Sequence, residues 1–137
     1  MSKTFIGMIC ALGMAALSAR VDAATANFQG NCTNSSGTIN CVFDAQRPST
    51  SPSSCTSPAY ITQYYWDFGD SSDTSGDGFT TSSFVSHSYT PPHDAAYNVH
   101  LSVFCSDGTD TGNQPASRWV CATIGFPGCI FYGSGWN

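Results

Sequence analysis

Between residues 95 and 105 (AAYNVHLSVFC) the chain alternates without a break. Tyr97, Val99, Leu101, Val103 and Cys105 fall on one face, and Asn98, His100 and Ser102 on the other. A period of two predicts a strand half-buried against a core, with His100 on the solvent side. Residues 59–68 (AYITQYYWDF) are β-branched and aromatic, the residue types that fit a pleated, half-buried surface. Weaker runs fill out the series: residues 26–32, Cys41 to Asp44, one or two strands within 79–89, and residues 117–124. Turn chemistry separates them at 33–40 (TNSSGTIN), 69–78 (GDSSDTSGDG), 90–94 (TPPHD) and 106–115, which holds Asp107-Gly108. Residues 45–58 (AQRPSTSPSSCTSP) read as a loop stapled by Cys55. Short strands at regular spacing, with no internal repeat, predict an all-β sandwich.

The first 23 residues follow a different rule. Lys3, the apolar run from Phe5 to Leu17, and Val21-Asp22-Ala23 match a secretory signal peptide cut after Ala23, with Ala19 as the alternative. The apolar run is too short to span a bilayer. The domain then occupies residues 24–137, ending in an apolar, Gly-rich tail, 126–137 (FPGCIFYGSGWN), expected to pack back through Cys129. Without the leader, six cysteines remain: Cys32, Cys41, Cys55, Cys105, Cys121 and Cys129. An even number in an exported chain reads as a disulfide framework, and the absence of any CxxC pair argues against a zinc site. Many pairings stay open. Cys32 would face Cys41 across the first hairpin, and Cys121–Cys129 would tie the tail to the last strand.

Charge narrows the function classes. All nine acidic residues are Asp, and the basic residues are Lys3, Arg20, Arg47 and Arg118. Past residue 23, eight Asp face two Arg, a net charge of −6. That leaves no basic footprint for nucleic acid. No membrane association is expected of the domain. A chain that is 13% aromatic and 9% charged also does not resemble a disordered one.

One set of motifs is more specific. Tyr65-Trp66-Asp67-Phe68-Gly69-Asp70, then His87-Ser88-Tyr89, then the strand from Ala96 to Val103 resembles the PKD domain family. The resemblance covers residues 25–124 and implies an immunoglobulin-like, antiparallel β-sandwich. The chain departs from that pattern in Ser71, where the family usually has Gly, in His93-Asp94-Ala95-Ala96, in its six cysteines and in its tail. Within the motif, Trp66 and Phe68 should share the core face, Gly69 should permit a tight turn, and Asp70 should accept backbone N–H bonds there. His87 and Tyr89 share a face and should pack and hydrogen-bond with that turn; Tyr97, in the alternating strand, is the last of the motif's structural residues. In the implied topology the second and sixth strands run parallel, which brings Cys55 close to Cys105.

No catalytic residues are assigned. The chain has no GxSxG elbow and no phosphate-binding glycine loop, and His87, His93 and His100 are scattered. Asp67, Asp70, Asp73 and Asp77 read as a solvated turn. The alternative is a calcium loop over Asp70, Asp73 and Asp77, which would make calcium the one cofactor in play. Tyr60, Tyr64, Trp119, Phe131, Tyr132 and Trp136 exceed what a repeated core needs, and such rings stack on sugars or anchor protein interfaces. The expected function is a secreted, non-catalytic module that binds or scaffolds extracellular protein or polysaccharide. The alternatives are a self-associating structural or matrix subunit and, third, a small hydrolase. The third is disfavoured because PKD-like domains usually accompany a separate catalytic domain.

Overall fold

The computed structural model describes residues 24–70, 76–90, 96–112, 114–121 and 129–131. The expected leader and most of the 126–137 tail lie outside them. The described chain forms β1 (Ala24–Thr25), β2 (Gln29–Ser35), β3 (Thr38–Asp44), β4 (Ser54–Cys55), β5 (Ile61–Asp67), β6 (Gly78–Thr80), β7 (Phe84–Tyr89), β8 (Ala96–Cys105), β9 (Ala116–Cys121) and β10 (Cys129–Phe131). One sheet runs β10-β9-β8-β5-β6, a second β2-β3-β7, and β1 pairs with β4. Pairing is antiparallel everywhere except between β9 and β10. The described residues are thus all-β, as the alternation predicted.

The core follows from that alternation. Along β8, Tyr97, Val99, Leu101, Val103 and Cys105 are buried while the residues between them are half-buried. Each such aliphatic side chain contributes about 1.5–3 kcal/mol. Opposite them, Ile39, Cys41 and Phe43 of β3 point inward. Trp66 fills the centre, edge-on to Phe28 at 5.2 Å between ring centroids and tilted against Phe43 at 5.9 Å.

Two local readings are revised and a third is sharpened. The polar stretch 33–40 is not all turn. Ser36 (φ 53°) and Gly37 (φ 86°) alone form the loop, with both φ angles positive as a type I′ hairpin requires. A two-residue turn lets Thr33 pair with Asn40 and Asn34 with Ile39, so polar residues are held in strand by register. The loop 45–58 contains β4, which pairs with β1. Its buried Ser53 hydroxyl donates to the Asn27 carbonyl at 2.6 Å and accepts the Asn27 N–H at 2.9 Å. Finally, residues 79–89 hold parts of two strands, and these lie in different sheets.

Three disulfides cross-link the strands: Cys32–Cys41, Cys55–Cys105 and Cys121–Cys129. The first joins directly opposed residues of β2 and β3. The second ties the β1–β4 pair to the end of β8. The third joins β9 to β10, where Ile130 enters the core. Three bridges fit an oxidising, extracellular type of environment. Among the described residues, no helix is long and apolar enough to cross a membrane.

Candidate functional site

The WDFGD segment forms the end of β5 and the turn beyond it. Trp66 and Phe68 are both buried and stack at 6.3 Å, while half-buried Asp67 faces the other way. The turn is closed by carboxylates, but not in the roles expected. Asp67 Oδ1 accepts the Gly69 N–H at 2.8 Å, and Asp77 Oδ1 accepts the Phe68 N–H at 2.9 Å. Asp70 instead turns inward and meets His87 Nε2 at 2.8 Å, both side chains more than nine-tenths buried. Gly69 is required here: φ is +74°, and a Cβ would lie 2.5 Å from the Asn98 carbonyl oxygen of β8.

His87 is held from three sides. Its ring stacks on Phe68 at 4.2 Å and meets Tyr89 edge-on at 4.7 Å, while the Asp70 carboxylate faces Nε2. Tyr89 stacks on Tyr97 at 4.0 Å and donates its hydroxyl to the Phe68 carbonyl at 3.0 Å. His87 and Tyr89 are therefore packing and hydrogen-bonding partners of the turn, as the sequence suggested. Two polar atoms here are buried without a hydrogen bond, Trp66 Nε1 and Asp70 Oδ1.

Burial is the first cause that holds the Tyr89 hydroxyl far above the ordinary phenol value of 10.0, followed by the negative charge of Asp70 and then Tyr97, Asp77 and Asp67. A group whose folded-state value is raised contributes its full stability below the unfolded value and loses it as pH rises past that point. The Tyr89 contribution should therefore fall above about pH 10, by about 1.4 kcal/mol for each further pH unit. Tyr89→Phe should lose about 1 kcal/mol at neutral pH with its hydrogen bond. It should also show a shallower alkaline decline, leaving what Tyr64 contributes, since burial raises that hydroxyl too. Urea unfolding at pH 9 and pH 11 checks this; equal declines in variant and parent would refute it.

The described residues do not assemble a calcium loop. Asp70 is engaged by His87, Asp77 by the Phe68 amide, and Asp73 lies outside the described residues. Among the described residues no three His, Cys, Asp or Glu side chains cluster as metal ligands.

The aromatic residues set aside for binding separate. Tyr60 and Trp119 are exposed, at 68% and 48%. Tyr64 is buried instead, its hydroxyl accepting from Gln46 Nε2 at 3.1 Å. It lies on the Trp66 side of β5, and so belongs to the core. Tyr132, Trp136 and the Phe131 side chain lie outside what is described. His100 lies on the outer face of β8, as the alternation predicts, and is half-buried there with Nδ1 enclosed and unpartnered.

Sequence reasoning missed the larger aromatic feature. On the outer face of the five-stranded sheet, Phe79 of β6 is 62% exposed. Its ring touches Tyr65 of β5 at 5.0 Å and Phe104 of β8 at 5.3 Å. Trp119 of β9 stands on the same face, three strands over and four residues further along, level with Asn98 where Phe79 is level with Ser102, roughly 20 Å away. The signal was available by parity: Tyr65 alternates with buried Trp66, and Phe104 continues the row of Asn98, His100 and Ser102. Among the described residues no arginine stands free beside this face. Arg118 turns inward, donating from Nε to the Phe28 carbonyl at 2.6 Å, and Arg47 lies 3.6 Å from Asp44.

No family model matches the chain, and no similar sequence was found among curated proteins.

Proposed function

We propose that this protein is a secreted, non-catalytic β-sandwich module of the PKD, immunoglobulin-like type that binds or scaffolds extracellular protein or polysaccharide. The observation that carries the reading is the outer aromatic cluster of Tyr65, Phe79 and Phe104, with Trp119 exposed on the same face, beside a motif whose Asp70 and His87 side chains are turned inward. Sheet orders of β2-β3-β7 and β6-β5-β8-β9 support the immunoglobulin-like type. The inward Asp70–His87 pair supports a structural role for the motif. Exposed rings with no free arginine beside them among the described residues suit neutral sugar faces or apolar protein side chains better than anionic partners. The disulfides support export. The oxidised protein applied to glycan and extracellular-matrix protein arrays tests the reading. Saturable binding to a neutral glycan or a matrix protein is expected; binding to none of them would refute it.

A further inference from the structure

The three-stranded sheet ends, among the described residues, on β7. Its ladder with β3 fixes which backbone groups face outward. Ala45 N–H bonds the Ser83 carbonyl at 2.8 Å, so alternation turns the amides and carbonyls of Val85, His87 and Tyr89 toward β3. Those of Phe84, Ser86 and Ser88 then face the free edge. At Phe84 the edge is already occupied. The Ser82 hydroxyl donates to the Phe84 carbonyl at 2.7 Å and accepts its N–H at 3.2 Å, standing in for a neighbouring strand. Ser86 and Ser88 are exposed and, among the described residues, carry no such cover. The strand FVSHSY also contains no Lys, Asp, Glu or Pro, the residues that usually guard an edge against pairing.

From this geometry we infer that β7 is a self-pairing edge that joins two copies of the chain. The two β7 strands run antiparallel about a twofold axis at His87, with Ser86 of each copy opposite Ser88 of the other. This register uses the two uncovered residues of both copies and makes four backbone hydrogen bonds. Shifting the axis to Ser86 would bring Ser88 against Phe84, whose groups Ser82 holds. The Ser82 cover therefore excludes a shift of the axis toward Phe84 and ends the pairing on that side. A flexible peptide would gain the same few bonds while losing backbone freedom over the whole paired length; the edge of a second copy is already ordered. The contact is small, so the dimer is weak, with a dissociation constant on the order of 0.1–1 mM. It leaves the aromatic face of the other sheet untouched and does not depend on the ligand-binding reading.

Sedimentation equilibrium of the purified, oxidised chain, over concentrations that bracket that constant, tests the inference. A monomer–dimer equilibrium is expected, with the Ser86 and Ser88 amides gaining hydrogen-exchange protection as concentration rises. Ser88→Lys and Ser86→Pro should weaken association at least tenfold, and Thr33→Lys on the opposite edge should leave it unchanged. If Ser86→Pro fails to fold by circular dichroism, Ser88→Lys decides alone. A chain monomeric throughout, or a dimer that persists in folded Ser88→Lys, overturns the inference.

Discussion

Replacing Cys55 and Cys105 together by alanine is expected to lower the unfolding free energy by about 4 kcal/mol, and Tm by roughly 12–20 °C. The two residues are 50 positions apart in sequence, so their bond restricts a long stretch of the unfolded chain. Cys32 and Cys41 are only 9 apart and already paired across a hairpin, and their double replacement should cost about 2.7 kcal/mol. The larger effect has a structural side as well. Cys55 lies in β4, whose partner is only the two-residue β1, and the bond to Cys105 is what fastens that pair to the end of β8. Thermal melts of both double variants, read by circular dichroism, decide the matter. Equal losses, or a larger loss from the hairpin bond, would contradict this ranking.

His87→Ala is expected to cost about 3–5 kcal/mol, because it leaves the Asp70 carboxylate buried and unpaired while also removing a ring stacked on Phe68. Asp70→Asn should cost less, about 1–2 kcal/mol, since an amide oxygen can still accept from His87 Nε2. Once His87 is gone, Asp70→Asn should cost little or should even recover stability, because a neutral amide tolerates the buried site better than a lone carboxylate. The double-mutant cycle should therefore show a coupling of about 1–3 kcal/mol. Urea unfolding of the four proteins provides the numbers. Simple additivity would mean that the short distance between the two side chains carries no energy, and that the motif does not hold the sandwich as described.

How far these features could be read in advance depended on the kind of signal. Period-two alternation from Tyr97 to Cys105 gave the inner row of β8 because one face of that strand is buried along its whole length. The cysteine pairs were legible where topology forced proximity. Local polar composition misled at residues 33–40, because register and a two-residue turn override weak strand preference. The exchange of roles among Asp67, Asp70 and Asp77 was not legible. Which carboxylate turns inward depends on where His87 arrives from the other sheet, and that is a tertiary fact. Tyr64 was set aside for binding as one of several spare aromatics, but alternation with Tyr65 places it beside Trp66 on the inner face. The same parity would have placed Tyr65 and Phe104 outside.

In the proposed function the labour is divided: the WDFGD–His87–Tyr89 assembly holds the fold, and the outer aromatic face would do the binding. Affinity for the strongest array ligand, measured for Phe79→Ala and Asp70→Asn beside the parent, tests it most directly. Phe79→Ala should weaken binding at least tenfold with only a small loss of Tm, because its exposed ring touches Tyr65 and Phe104 outside the buried core. Asp70→Asn should melt earlier and bind as the parent does per folded molecule. Full binding by Phe79→Ala, or lost binding in folded Asp70→Asn, would contradict the account.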